Sequence, residues 1–190
     1  ISLIARTMAF LHRLSKDRGL RVQTNVVTNG VLLHKENRRR LKRAGASSFQ
    51  ITVDGMAKDH NRRRPFCSGQ GSFATVYENM LSSVAEGFSV VLNMNFDQSN
   101  HAGLTRLLES IPRPVRGKMD ISFSPIKTTK LNRASQACGV SHRDEAVLLR
   151  KLYRKAVDGG YRLPDFQYTQ YGPCHFLRSN SLIVDPEGRI

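Results

Sequence analysis

Four strings decide the reading of this chain: TNVVTNG at residues 24–30, QITVDG at 50–55, HNRRRP at 60–65 and GQGSF at 69–73. In the first two, an apolar run closes on a polar residue and a glycine. Val22–Val27 leads to Thr28-Asn29-Gly30, and Phe49–Val53 leads to Asp54-Gly55. Between them the basic stretch Leu33–Ala44 has helical character. Strand, helix, strand, with polar groups at the carboxyl ends of the strands, is the pattern of a parallel α/β sheet, whose ligands bind at that edge.

The same rhythm extends outward. Leu3, Ile4, Met8, Leu11 and Leu14 recur at helical spacing and predict a first helix closed by Gly19. Strands are expected at Arg21–Val27, Phe49–Val53, Ser89–Phe96 and Asp120–Ser124. Helices are expected at Leu33–Ala44, at Ser72–Glu86 with Ser72 as N-cap, from Asn100 through Leu104, Leu107, Leu108 and Ile111, and at Ser141–Asp158. Pro112 and Pro114 break the third of these. Strands separated by helices at roughly 30-residue intervals predict a parallel sheet with right-handed crossovers. From Leu163 the chain turns rich in Tyr, Phe, Gln and Pro, which reads as a second, small module.

At 190 residues the chain is one domain or a large part of one. It has no apolar run of about 18 residues, so no membrane span is expected. Arg6 and His12 interrupt the opening apolar stretch, which reads as an amphipathic helix and not a signal peptide. A start at Ile1 and an end at Ile190, directly after Pro186-Glu187-Gly188, read as a fragment. The net charge is +15, but the dense basic run HKENRRRLKRAG (34–45) carries Leu41 and Ala44 for burial. Its basic side chains are therefore expected in water, and nucleic acid is not expected as a partner. Three widely spaced cysteines, Cys67, Cys138 and Cys174, offer no disulfide framework. A reducing, cytoplasmic setting follows.

Strand alternation puts Thr52 and Asp54 on one side, opposite Ile51 and Val53. Asn93 and Asn95 share a face in the same way, as do Ser122 and Ser124. Polar residues converging from several strand ends suit a polar ligand. Arg64, between His60 and the loop Gly69-Gln70-Gly71, is suited to hold a carboxylate. Each feature also has an ordinary reading: Asp54-Gly55 as a turn, Asn93 as a backbone partner, three adjacent arginines as a solvated surface. No catalytic acid or base is assignable.

The ordered set TNGVLL (28–33), AGASSFQITVDG (44–55), HNRRRPFCSGQGSF (60–73) and VVLNMNFDQSN (90–100) resembles the radical S-adenosylmethionine enzymes that carry a C-terminal SPASM module. Anaerobic sulfatase-maturating enzymes and peptide maturases belong to that group. Their strings read TNG-x-LL, ISLDG, H-x-x-x-RP and G-x-GSF. Near the carboxyl end, CHFLRSNSLIVDPEGR (174–189) is similar to the segment in which a first auxiliary-cluster cysteine precedes a Pro-x-Gly hairpin. The resemblance implies an α/β fold, the later part of a partial (β/α)6 radical SAM barrel over 1–160, followed by the start of a SPASM module over 161–190.

It further implies a 4Fe-4S cluster and S-adenosylmethionine as cofactors, with auxiliary 4Fe-4S clusters in the full-length protein. The reduced cluster splits the sulfonium, and the resulting 5′-deoxyadenosyl radical takes hydrogen from a peptide or protein substrate. A flavodoxin or ferredoxin is the implied electron donor. S-adenosylmethionine would meet Asn29, Thr52, Asp54, Arg64 and Asn93, with Thr52 at the ribose or methionine, Arg64 at the carboxylate, and Asn29 and Asn93 shaping the lumen. Cys174 would ligate an auxiliary cluster.

This chain departs from the family pattern in several places. The Cys-x-x-x-Cys-x-x-Cys loop and the Gly-Gly-Glu segment are absent, and the family layout puts both before Ile1. Thr52 stands where Ser is usual, and Asn93 where Arg is common. Cys67 and Cys138 match no cluster position. The rival readings are a basic α/β module that binds nucleic acid through Arg38–Arg43 and a barrel enzyme that takes a phosphate-bearing substrate at GQGSF.

Overall fold

Alternation along one strand explains how the sheet sits. In β3 (Ser89–Phe96), Val90, Leu92, Met94 and Phe96 are buried, while the residues between them carry most of the strand's exposure. β2 (Ser48–Thr52) and β4 (Met119–Pro125) repeat this with Phe49 and Ile51, and with Met119, Ile121 and Phe123. One sheet face is therefore apolar and covered. The other carries Gln50, Thr52, Asn93, Asn95, Asp120, Ser122 and Ser124.

The computed structural model describes residues 1–126 and 142–163. With β1 (Asn25–Thr28), the strands form one sheet in the order β1-β2-β3-β4, every neighbouring pair parallel. Spatial order thus follows sequence order, the winding of a barrel; a doubly wound sheet reverses partway. Register places Thr52 beside Asn93 and Asn93 beside Ser122, and the next level pairs Asn95 with Ser124. After β4 the chain returns to the same edge. Arg162 N–H donates to Met119 O at 3.2 Å, and Ile121 N–H donates to Arg162 O at 3.1 Å.

The helices are α1 (Ser2–Asp17), α2 (Lys35–Arg43), α3 (Ala57–Arg63), α4 (Phe73–Ala85), α5 (His101–Ser110), α6 (Arg113–Arg116) and α7 (His142–Asp158). The core under the sheet comes from Val76, Met80 and Val84 of α4, Leu104, Leu107 and Leu108 of α5, and Leu152 and Ala156 of α7. Among the described residues no helix is long and apolar enough to cross a membrane.

Local expectations needed correction in several places. On α1 only Ala5, Met8 and Ser15 are buried, whereas Leu3, Ile4, Leu11 and Leu14 of the expected apolar stripe are exposed. Arg38 is not in water: it is buried, with Nη2 on Glu86 Oε1 at 2.6 Å and Nη1 on Leu33 O at 2.5 Å. It ties α2 to the end of α4, and its hydrogen bond to Glu86 holds that carboxyl below its ordinary value. Pro112 and Pro114 end α5 but also start α6, where the early position of Pro114 sacrifices no helical hydrogen bond. Finally, α3 occupies part of a segment read only as a polar motif. Its AKDHNRR sequence has no apolar spacing to announce a helix.

Candidate active site at the carboxyl edge of the sheet

At the end of β1, backbone needs dictate the sequence Thr28-Asn29-Gly30. Gly30 has φ +83°, and its N–H donates to Thr28 Oγ1 at 3.1 Å. Val31 N–H donates to Asn29 Oδ1 at 3.2 Å, so Asn29 shapes the turn. Asn79, buried on α4, clamps it from below, with Nδ2 donating to Gly30 O at 2.9 Å and to Val31 O at 3.2 Å. A Cβ on Gly30 would lie 3.0 Å from both Ile51 Cγ2 and Val76 Cγ1. Gly30→Ala is therefore expected to cost roughly 1–3 kcal/mol in a chemical denaturation curve, because a non-glycine residue is strained there and the core beneath must shift.

Asp54, just beyond β2, is 3% exposed. Its Oδ2 accepts from Arg64 Nε at 2.8 Å and its Oδ1 from Asn95 N–H at 3.3 Å. Its carbonyl accepts from Asn100 Nδ2 at 2.9 Å, and Asn100 also donates to Asn95 O at 2.9 Å. The carboxylate thus binds the end of β2 to the end of β3 and holds Arg64, so Asp54-Gly55 is more than a turn.

Arg64 caps α3. Its Nε is committed to Asp54, while its two Nη groups have no partner among the described residues. About a third of the side chain is open to solvent, at 35%. With Asn29, Val31, His60, Phe66 and Ser72 it lines a cavity of about 380 Å³. A guanidinium anchored through Nε, with its Nη pair free, is pre-oriented for the two oxygens of a carboxylate.

Thr52 and Asn93 sit side by side on the polar face. Asn93 is buried, its Oδ1 accepting from Ser124 Oγ at 3.0 Å and its Nδ2 donating to Asn95 Oδ1 at 3.3 Å. The half-buried Thr52 hydroxyl has no hydrogen-bond partner among the described residues. Sequence reading therefore chose residues that fall in two groups: Asn29 and Arg64 at the cavity, with Asp54 buried behind the Arg64 guanidinium, and Thr52 beside Asn93 on the polar sheet face.

It missed what holds them. His60, 1% exposed, accepts Asp54 N–H at Nδ1 at 3.2 Å and meets Ser72 Oγ through Nε2 at 3.1 Å. Ser72 Oγ donates to Arg64 O at 2.5 Å. Ser72 was expected to cap α4 with its side chain. The hydroxyl instead turns to Arg64 and His60, and Asn61 Oδ1 takes the Phe73 N–H at 2.9 Å. A second buried pair joins α3 to the β3 end: Arg63 Nη2 donates to Asp97 Oδ2 at 2.5 Å. Burial pushes the Asp97 carboxyl up, but two hydrogen bonds from Ser99 and the Arg63 guanidinium outweigh it and hold the group below its ordinary value.

Among the described residues no three His, Cys, Asp or Glu side chains gather as metal ligands. Cys67 is exposed and free, and Cys138 and Cys174 lie outside the described residues. The described residues do not provide an iron–sulfur ligand set. The cavity beside Arg64 does fit the carboxylate end of S-adenosylmethionine, because its free Nη groups offer two donors where the ligand has two acceptors.

No family model matches the chain, and no curated protein matches it. Solved structures do. Native anSMEcpe with bound AdoMet and the Kp18Cys peptide superposes with a TM-score of 0.65 at 15% identity, over 85% of this chain and 46% of that one. Native anSMEcpe with AdoMet and the Cp18Cys peptide gives 0.62 at 15% identity, over the same shares. With AdoMet alone the values are 0.61 and 16%, over 83% and 44%. The chain spans less than half the length of these proteins. What the likeness shows is the fold: an α/β segment shared with these structures, its four parallel strands wound in sequence order.

Proposed function

We propose that this chain supplies the S-adenosylmethionine-binding edge of a radical SAM enzyme that modifies a peptide or protein, of the sulfatase- or peptide-maturating kind. The observation that carries the reading is the half-committed Arg64: Nε is on Asp54, the Nη groups have no partner among the described residues, and the residue lines a cavity together with Asn29. The solved structures of the same fold that hold AdoMet, two of them with a peptide, support it.

In this account Arg64 pairs with the ligand carboxylate, and Asp54 keeps the guanidinium in plane. Thr52 offers its unpartnered hydroxyl to the ribose or methionine. Asn93, fixed by Ser124 and Asn95, and Asn29 shape the polar wall. When bound, S-adenosylmethionine supplies, on one-electron reduction by an iron–sulfur cluster, the means of taking a hydrogen atom from the substrate. The cluster ligands and the electron donor, a flavodoxin or ferredoxin in this proposal, come from outside the described residues. Residues 161–190 are assigned to the start of a SPASM module, with Cys174 as ligand of an auxiliary cluster.

The test is deuterium transfer. The anaerobic, cluster-loaded full-length protein, given S-adenosylmethionine, a reductant and a peptide deuterated at the modified residue, is expected to release deuterated 5′-deoxyadenosine. Deoxyadenosine without deuterium, over a panel of such peptides, would reject a peptide substrate, and no deoxyadenosine at all would reject the radical reading. Cys174→Ala is expected to lower iron and sulfide by one auxiliary cluster and leave the catalytic cluster in place. Unchanged iron per chain would remove Cys174 from the ligand set.

A further inference from the structure

Asp54 and Arg64 are joined twice. The direct link is the ion pair between their side chains. The other runs through two buried residues, the His of H-x-x-x-RP and the Ser of G-x-GSF: from Asp54 N–H to His60 Nδ1, from His60 Nε2 to Ser72 Oγ, and from Ser72 Oγ to the Arg64 carbonyl. Each link fixes the direction of the next. A backbone N–H can only donate, so His60 Nδ1 must accept. An imidazole that accepts at Nδ1 and stays neutral carries its proton on Nε2. Ser72 then accepts from His60 and spends its own proton on the Arg64 carbonyl.

We infer that His60 is a positioning residue for the ligand site, its neutral Nε2–H tautomer setting the direction of a relay that locks the backbone of Arg64 to the end of β2. This inference rests on the proposed role of Arg64, and it adds what keeps that guanidinium in place. The relay links the end of β2, the middle and the C-cap of α3, and the N-cap of α4, so the Arg64 backbone cannot drift from the end of β2 without breaking at least one of its hydrogen bonds.

The electrostatic surroundings agree. The charged groups facing the imidazole are Asp54 and Arg64, and α4 presents Ser72 and the ring of Phe73. Burial lowers the His60 pKa most, Asp54 pulls it up and Arg64 pulls it down, leaving it below its ordinary value. The neutral ring needed for the relay is thus the stable form at pH 7. Protonation would place a donor at Nδ1 against the Asp54 N–H and oppose the relay at its first link.

The test has two independent parts. In the ligand-free protein, nitrogen-15 chemical shifts of the His60 ring are expected to report the neutral Nε2–H tautomer at pH 7. The Arg64 Nε–H signal is expected to be protected from exchange, and to lose that protection in His60→Phe, which keeps the ring volume and removes both hydrogen bonds. His60→Asn, which keeps an acceptor near Nδ1, should restore part of it. Ser72→Ala breaks the relay from its other end and should shift the His60 Nε2–H signal if His60→Phe fails to fold. In equilibrium dialysis on the cluster-loaded protein, His60→Phe should weaken S-adenosylmethionine binding about tenfold, the effect of one unmade buried hydrogen bond. A protonated ring or an Nδ1–H tautomer at pH 7 would overturn the inference. So would full Arg64 protection in the folded His60→Phe protein, or ligand affinity unchanged in it. If the wild type binds no S-adenosylmethionine but the spectroscopic results hold, the relay stands and the ligand assignment falls.

Discussion

Arg64→Ala is expected to weaken S-adenosylmethionine binding by tenfold or more, while Arg62→Ala changes it little. The two arginines are near neighbours in sequence and opposite in setting. Arg62 is 58% exposed and reaches Asp59 only at 3.9 Å, an arrangement worth at most a fraction of a kcal/mol. Arg64 is anchored by a buried carboxylate at 2.8 Å and lines the cavity, its remaining donors without a partner among the described residues. A charge-assisted hydrogen bond to a ligand carboxylate contributes roughly 1.5–3 kcal/mol, and 1.4 kcal/mol is a factor of ten. Isothermal titration of both variants checks this. Equal losses would mean that the basic surface acts as a whole and that Arg64 has no particular role.

Between them, Arg63 is expected to govern stability. Asp97 is 2% exposed, and Arg63 is its only cationic partner among the described residues. Arg63→Ala would leave a buried carboxylate held by Ser99 alone, a change that costs roughly 3 kcal/mol when a buried pair loses one member. The loss should appear as a lower denaturation midpoint with an unchanged slope. Because the folded-state pKa of Asp97 lies below its unfolded value, its favourable contribution is present above about pH 4 and is lost as pH falls through the acid range. Arg63→Ala should flatten that acid dependence. A variant as stable as the wild type would show that Ser99 and water suffice for the carboxylate.

These three arginines mark how far the sequence can be read. β3 was legible to the residue, because Val90, Leu92, Met94 and Phe96 keep one apolar face buried along the whole of Ser89–Phe96. The parallel order followed from the spacing of strands and helices, since right-handed crossovers leave few alternatives. The site was legible as a location, because polar residues ending apolar runs must gather at one edge. Its wiring was not. Asn-Arg-Arg-Arg-Pro names three identical side chains, and only the turn of α3 decides that one faces water, one Asp97 and one Asp54. His60 lay in a quoted string, but a histidine's partners are set in space and not by spacing. Ser72 was a reasonable cap that found stronger partners in His60 and Arg64, leaving the cap to Asn61. Arg38 was drawn inward because the α2–α4 contact exposes a carbonyl and Glu86 to it, which no helical pattern foretells.

The central claim is that the carboxyl edge of this sheet holds S-adenosylmethionine. Hydrogen–deuterium exchange on the cluster-loaded full-length protein, with and without the ligand, tests it most directly. The account predicts added protection at residues 28–31, 52–55, 60–72 and 93–100, and none at the amino edge around Arg21–Asn25. Protection at the amino edge, or ligand binding that leaves those four segments unchanged, would contradict it.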